Sequence, residues 1–254
     1  MSVRPKSRKI LGISAFILAM AAFVGLFFWA RQATYFAIQE IQIELPKSPF
    51  VKKKDILALT GVPLGQNLFS LDLKKIERQL EADPWVARAF VSRRLPNTLF
   101  IKVRLQEPVA MVATSSGVYL VNKEGRLFAP ATKEMLKDFP AIVGLSPEEK
   151  EARMLSPQVR PLLALLAYLR RTDQLVPCYA NISQIKILDD GFLLITRDAL
   201  TVRFPSGDLK TLLAKYRRLD RIFQYLYETR QYARTKLIRL DYPDGEAALL
   251  LKEG

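Results

Sequence analysis

The sequence predicts an α+β protein whose bulk follows a single N-terminal membrane-spanning helix. Three observations support this. An uncharged apolar run fills residues 10–29, strand and helix patterns alternate along residues 41–105, and short strands bounded by turn residues dominate the remainder. We expect a tail at 1–9, a transmembrane helix at 10–29, a first outer domain at 36–107 and a β-rich domain with two helical segments at 108–254.

The apolar run at 10–29 has the length of a membrane span. Its 20 residues would rise about 30 Å as a helix, which is the thickness of the hydrocarbon core of a bilayer. Arg4, Lys6, Arg8 and Lys9 precede the run without an acidic residue, and such cationic flanks stay in the cytoplasm. We therefore expect a single-pass protein with its N-terminus in the cytoplasm. The alternative is a cleaved signal peptide, whose apolar core is usually about 7–15 residues long.

Composition argues against most catalytic and nucleic-acid functions. The chain has a formal net charge of +14, but its basic residues are spread out rather than arranged in a DNA-reading motif. It has no histidine, and Cys178 is its only cysteine, so an intrachain disulfide, a Ser-His-Asp triad and ordinary zinc sites are excluded. Ser183 and Lys186 match S-x-x-K, but within a strand pattern that points them to opposite faces. We expect no enzyme activity, metal, cofactor or small-molecule substrate.

Residues 41–105 predict a compact module. Alternating apolar residues at 41–45 indicate a strand, and an amphipathic helix at 52–60 ends at Gly61. Either Ser70 or Asp72 can cap a second helix. Strands that begin at Trp85 and at Thr98 follow, so we expect a three-stranded sheet covered by two helices.

The rest of the chain predicts a larger, strand-rich domain. Strands are expected at 109–113 and 118–122, followed by a helical stretch from Pro147, a three-stranded meander at 182–204 and a long basic helix capped by Ser206 or Asp208. The turn Pro243-Asp244-Gly245 joins strands at 237–242 and 246–251 into a hairpin. The last strand has no successor in the chain, so we expect it at a sheet edge.

Several motifs together resemble the FtsQ/DivIB family of bacterial division proteins. They are Gly65-x-Asn67-Leu68-Phe69, Pro84-Trp85-Val86, Arg94-x-Pro96-x-Thr98-Leu99, Glu107-Pro108-Val109-Ala110 and Arg239-Leu240-Asp241-Tyr242-Pro243-Asp244-Gly245. The resemblance implies a POTRA module of order β-α-α-β-β, followed by a β domain with a partner-binding hairpin.

The resemblance also implies a non-enzymatic scaffold of the divisome. Such a protein sits in the cytoplasmic (inner) membrane, is enriched at the division septum and exposes its bulk to the periplasm. It recruits the small coiled-coil proteins FtsB and FtsL, and connects them with FtsK, FtsW and FtsI. Two alternatives stay open: a POTRA-containing envelope assembly or secretion factor, which needs a following barrel, and a membrane-tethered cell-wall hydrolase.

We expect the partner to add a strand to the closing hairpin. The physical reason is that an unpaired strand offers free backbone groups, and residues 247–251 are too apolar for a well-protected edge. The resemblance implies that this hairpin binds FtsB, although Asp241 and Leu250 replace the Arg and Trp of some relatives. The candidate contacts are Tyr242, Asp244, Glu246, Ala247, Ala248, Leu249, Leu250 and Leu251. A second candidate is the outward face of the first strand, at Gln42 and Glu44.

Overall fold

The computed structural model of the protein describes residues 16–21, 25, 34–151, 153–172, 174–242 and 247–251. Residues 16–21 and Gly25 are helical. Within the described part of the chain, no helix combines the length and apolar character that a bilayer crossing requires. Most of the predicted span at 10–29 lies outside the described residues, so the span stays a prediction. The remaining chain forms two compact units that divide after Leu105.

The first unit has the predicted order of strand, helix, helix, strand, strand. Its elements are β1 (Glu40–Glu44), α1 (Lys53–Thr60), α2 (Leu73–Glu81), β2 (Val86–Arg94) and β3 (Thr98–Leu105). The sheet order is β1-β3-β2, with β1 parallel and β2 antiparallel to the central strand. The core is apolar, and its fully buried side chains include Ile56, Leu80, Leu99 and Ile101.

Local signals explain where the helices of this unit begin and end. The sequence left two candidates for the cap of α2, and the structure selects Asp72, whose carboxylate accepts a hydrogen bond of 3.0 Å from the Lys75 amide. Helix α1 ends at Gly61, which has a φ of 60° and so adopts the left-handed conformation that glycine tolerates best.

The second unit is built on one nine-stranded sheet. Its strands are β4 (Pro108–Thr114), β5 (Gly117–Asn122), β6 (Leu127–Pro130), β7 (Ala141–Val143), β8 (Ile182–Leu188), β9 (Gly191–Thr196), β10 (Thr201–Pro205), β11 (Thr235–Arg239) and β12 (Ala248–Leu251). Its helices are α3 (Pro147–Glu151), α4 (Arg160–Arg171) and α5 (Leu209–Glu228). The strand order is β12-β11-β10-β9-β8-β7-β4-β5-β6.

Strand β7 joins the two halves of this sheet. It runs parallel to β4 on one side and to β8 on the other, with Ile142 opposite Val112 and Ile185. The sequence did not predict it, because three residues are too few for a strand pattern. Gly144 follows it, and a Cβ there would lie 2.6 Å from the Ile187 carbonyl oxygen, so the close approach of the two strands requires glycine.

Helix α5 is fixed to the sheet by aromatic packing. The ring of Tyr216 stacks on that of Phe204 in β10, with centroids 5.9 Å apart. The Tyr216 hydroxyl donates a hydrogen bond to the Pro177 carbonyl, and burial raises the pKa of this hydroxyl, so it stays a neutral donor. The helix begins after Asp208, which accepts a hydrogen bond of 2.8 Å from the Thr211 amide. Of the two residues that the sequence offered as the cap of this helix, Ser206 and Asp208, the structure therefore selects Asp208.

We expect Asp72→Ala to lower the free energy of unfolding of the first unit by about 1 kcal/mol, because it removes the cap of α2. The measurement is urea denaturation followed by tryptophan fluorescence. In a Trp29→Phe background, Trp85 is the only remaining tryptophan and reports on this unit. Lys74→Ala, an exposed change in the same helix, is the control. An equal loss in both variants would contradict the capping role.

Candidate partner-binding edge

Strand β12 lies at the end of the nine-stranded sheet, as the sequence led us to expect of the last strand. It pairs antiparallel with β11, with Leu250 opposite Leu237 and Leu249 opposite Ile238. Among the described residues, β11 is its only strand partner. The other side of β12 therefore presents a row of backbone N–H and C=O groups of the kind that an added strand pairs with.

The side chains of β12 are unusually apolar for an exposed edge. Leu249, Leu250 and Leu251 are 40%, 55% and 43% exposed. Alternation along the strand places Leu250 on one face of the sheet and Leu249 on the other, on the same face as the buried Ile238. An added strand would cover apolar side chains on both faces. The predicted contacts Asp244 and Glu246 lie outside the described residues.

Tyr242 lies where the chain leaves β11, and other residues of this unit hold it in place. The Lys215 ammonium, on α5, donates a hydrogen bond of 2.8 Å to the Tyr242 carbonyl oxygen. The Arg239 guanidinium lies over the Tyr242 ring, 4.8 Å from its centroid. Tyr242 is partly exposed. Its position is set by contacts with helix α5 and strand β11 rather than by the loop alone.

A carboxylate network stabilises the end of β11. Arg203 and Arg239 lie directly opposite each other on parallel strands, which would be unfavourable without a counter-charge. Asp241 supplies it: its carboxylate lies 2.9 Å from Arg203 Nε and 2.7 Å from Arg239 Nη2. Asp190 also pairs with Arg203, at 2.6 Å. The hydrogen bonds from Arg239 hold the pKa of the Asp241 carboxyl below its usual range.

A groove separates β12 from helix α5. It has a volume of about 330 Å³, and its lining residues combine cationic and apolar side chains: Arg218, Arg221, Ile222, Tyr225, Ala247 and Leu249. The four helix residues follow the i, i+3, i+4, i+7 spacing of one helix face. The sequence predicted the basic helix and its buried face. It did not predict that these four helix residues line a groove, because only the fold shows that β12 lies beside α5.

The other edge of the same sheet has a backbone partner at the start of β6. The amide of Leu127, in β6, donates a hydrogen bond of 2.9 Å to the Arg153 carbonyl. Arg126 and Met154 form an antiparallel bridge next to it. Residues 153–155 therefore pair with the chain at the start of β6, where the outward Leu127 amide already has a backbone partner.

The second predicted candidate, β1, is an edge of the three-stranded sheet. Its outward side chains already have partners on the open face of that sheet. The Gln42 side chain accepts a hydrogen bond of 2.9 Å from Arg94, and Glu44 lies 2.5 Å from the Lys102 ammonium. Ionic and polar contacts at an exposed surface are weak, so they leave the edge accessible.

The residues considered for chemistry are not assembled into a site. Ser183 and Lys186 both lie in strand β8 and are exposed, whereas the S-x-x-K nucleophile needs them one helical turn apart. Among the described residues, no group of three or more Asp, Glu and Cys side chains is placed to hold a metal ion.

The two units match two family models. Residues 36–106 match the model described as "POTRA domain, FtsQ-type", and residues 110–242 match "Cell division protein FtsQ/DivIB, C-terminal". A POTRA module followed by this mixed α+β domain defines a class of bacterial division proteins. Both parts confirm the α+β class and the POTRA module of the prediction, and the N-terminal membrane helix stays a prediction. The chain belongs to the FtsQ/DivIB family.

Curated relatives agree over most of the chain. "Cell division protein FtsQ" of Geotalea daltonii is 31% identical over 244 residues, which cover 94% of this chain and 85% of the relative. The protein of the same name from Syntrophotalea carbinolica is 30% identical, covering 90% and 76%. That of Myxococcus fulvus is 28% identical, covering 85% and 76%. The chain therefore has a role in cell division.

We expect Asp241→Asn to destabilise the second unit by about 1–3 kcal/mol at pH 7, because it removes the carboxylate that bridges Arg203 and Arg239 and leaves Arg203 with Asp190 alone. The pKa of Asp241 is lowered by folding, so its contribution is present above the ordinary carboxyl pKa of about 4 and is lost as the pH falls through the lower folded value. Urea denaturation should show the two proteins converging below pH 4.

Asp189→Asn is the matched control, since Asp189 is an exposed acid beside Asp190 and outside the network. It should leave stability within about 0.5 kcal/mol of the wild type. A difference between wild type and Asp241→Asn that stays constant down to pH 2 would contradict the role of the ionised carboxylate.

Proposed function

We propose that this protein is a non-enzymatic scaffold of the division machinery that captures an extended partner segment on the free edge of β12. The observation that supports this proposal most directly is the contrast between the two ends of one sheet. The start of β6 is paired with residues 153–155, whereas β12 presents three consecutive exposed leucines. An apolar edge that is left uncovered is a liability unless a partner uses it.

Binding at this edge would be by β-augmentation. Main-chain hydrogen bonds to β12 supply affinity that is largely independent of sequence, and alternate side chains of the added strand supply specificity. On one face those side chains would meet Leu250. On the other they would project over the groove beside Arg218 and Arg221, where an acidic or polar side chain of the partner is favoured.

The proposed partners are FtsB and FtsL, with connections to FtsK, FtsW and FtsI. Membership of a division family supports a division partner. The resemblance of residues 239–245 to the family's closing hairpin supports FtsB at β12. The proposed location is the cytoplasmic membrane at the division septum, with the N-terminus in the cytoplasm and one span at 10–29. The proposed outer domains are 36–107 and 108–254. No observation favours an assembly factor or a hydrolase.

Truncation after Gly245 should abolish FtsB binding, because it removes β12 and leaves β11 with its pairing to β10. The point variant Leu250→Lys combined with Tyr242→Ala should weaken binding by at least tenfold, since burying one leucine side chain contributes about 1.5–3 kcal/mol. The affinity of both variants is measured by titrating the detergent-solubilised chain with the periplasmic segment of FtsB. Far-UV circular dichroism checks the fold.

Leu136→Lys is the matched control, because Leu136 is a similarly exposed leucine in the second unit that lies away from β12. It should bind FtsB as the wild type does. Arg221→Glu tests the groove and should weaken binding in a salt-dependent way if the partner carries an acid there. Undiminished binding by the truncated chain would refute the assignment of β12.

Gln42→Ala combined with Glu44→Lys should reduce recruitment of a membrane division protein without unfolding the POTRA module. The fold should tolerate the change because the contacts that it removes are exposed ones of Arg94 and Lys102. The measurement is co-purification of FtsK, FtsW and FtsI with the full chain in mild detergent. Intact recovery of every division partner would show that β1 is not a docking edge.

A further inference from the structure

The second edge of the POTRA sheet is β2, and two carboxylates from its own unit occupy it. The Ala89 amide donates a hydrogen bond of 3.1 Å to Glu81 Oε1, and the Val91 amide donates one of 2.9 Å to Glu77 Oε1. Both acids belong to helix α2. In an antiparallel pair, amides that do not bond to the neighbouring strand point away from it, so these are the amides that a further strand would use.

Helix and strand spacing explain why two glutamates fit two amides. Glu77 and Glu81 are four residues apart on α2, which is about 6 Å along the helix axis. Ala89 and Val91 are two residues apart on β2, which is about 6.8 Å along the strand. The two spacings nearly coincide. Because the helix and the strand run in opposite directions, Glu81 bonds to Ala89 and Glu77 bonds to Val91. The carboxylates thus stand where the carbonyl oxygens of a neighbouring strand would lie.

The sequence of β2 makes it able to pair with itself. An antiparallel pair of two β2 strands centred on Phe90 places Ala89 opposite Val91 and Arg88 opposite Ser92. No two like charges are directly opposed in that register. Phe90 is 53% exposed, so two copies would also bury an aromatic pair.

We propose that Glu77 and Glu81 form a carboxylate cap that closes the β2 edge and prevents β2 from pairing with the β2 strand of a second copy of this chain. The cap acts by satisfying the outward amides within the molecule. An incoming strand must first displace two charge-assisted hydrogen bonds, and it then leaves both carboxylates beside its own carbonyl oxygens. The closure leaves β1 as the available edge of the POTRA sheet.

The first test measures hydrogen–deuterium exchange at single amides of the full chain in detergent, at a protein concentration low enough to keep the chain monomeric. In the wild type, the Ala89 and Val91 amides should be protected. In Glu77→Ala/Glu81→Ala they should exchange at least about tenfold faster, because each loses a hydrogen bond to a charged group. Glu77→Gln/Glu81→Gln keeps the side-chain oxygens and should retain most of the protection. Gln79→Ala, an exposed change on the same helix, should retain all of it.

The second test asks whether the opened edge pairs with another copy. In a Cys178→Ser background, Phe90→Cys places a thiol at the centre of the symmetric register, where the Cα–Cα distance of about 4.5 Å allows a disulfide. We expect disulfide-linked dimers in the Glu77→Ala/Glu81→Ala variant and few in the chain that keeps both glutamates. Far-UV circular dichroism of the alanine variant shows whether it is still folded.

Unchanged protection of Ala89 and Val91 in the alanine variant would overturn the proposal. So would faster exchange without any gain in crosslinking, or equal crosslinking by the chain that keeps both glutamates. None of these readouts depends on a division partner, so the result is independent of what binds at β12.

Discussion

Every strand at the edge of a sheet has one row of backbone groups without a neighbouring strand, and this constraint organises the described part of the protein. The two sheets have four such edges, β1, β2, β6 and β12. Side chains of a helix accept hydrogen bonds from amides on β2, and a loop segment accepts one from the Leu127 amide of β6. At β12, by contrast, the exposed side chains are leucines. The edges thus differ in which of their groups already have partners within the molecule, and this difference distinguishes a candidate docking strand from a structural one.

A docking edge is useful only if its backbone is held in a fixed conformation before the partner arrives. Strand β12 has just four residues and depends on β11 for its position. Strand β11 in turn depends on its parallel pairing with β10, which brings Arg203 and Arg239 together. Asp241 bridges these two arginines, and Lys215 on α5 donates a hydrogen bond to the Tyr242 carbonyl oxygen. The ionic network thus supports the edge, and ordering it beforehand lowers the entropic cost of binding.

The sequence predicted those parts of the fold that local rules determine. The POTRA order followed from alternating apolar residues and from helix signals such as Asp72 and Gly61. Strand β7 was missed because three residues carry no periodicity and its pairing with β4 and β8 is non-local. Glu77 and Glu81 have the spacing of a solvated helix face, and their role appears only once β2 is known to run beside α2.

The same limit applies to the candidate site. Apolar residues at 247–251 and the Asp-Gly turn were enough to predict the edge strand, whereas its partner contacts stay a prediction. The groove beside α5 and the network around Asp241 could not be predicted, because each combines residues from elements far apart in sequence. Local sequence patterns therefore indicate which strand could accept a partner strand. The side chains that would determine specificity for that partner are brought together only by the tertiary fold.

The groove also bears on how an exposed apolar strand avoids pairing with itself. Two copies of this chain joined through β12 would bring together two sets of Arg218 and Arg221, and like charges in close contact oppose association. A partner strand with acidic side chains on that face would meet the same cations favourably. The short length of β12 further limits non-specific pairing, because few main-chain hydrogen bonds are available without side-chain contacts. In the proposed function, cationic residues on the neighbouring helix would give this apolar edge its selectivity, and the proposed carboxylate cap on α2 would close the β2 edge.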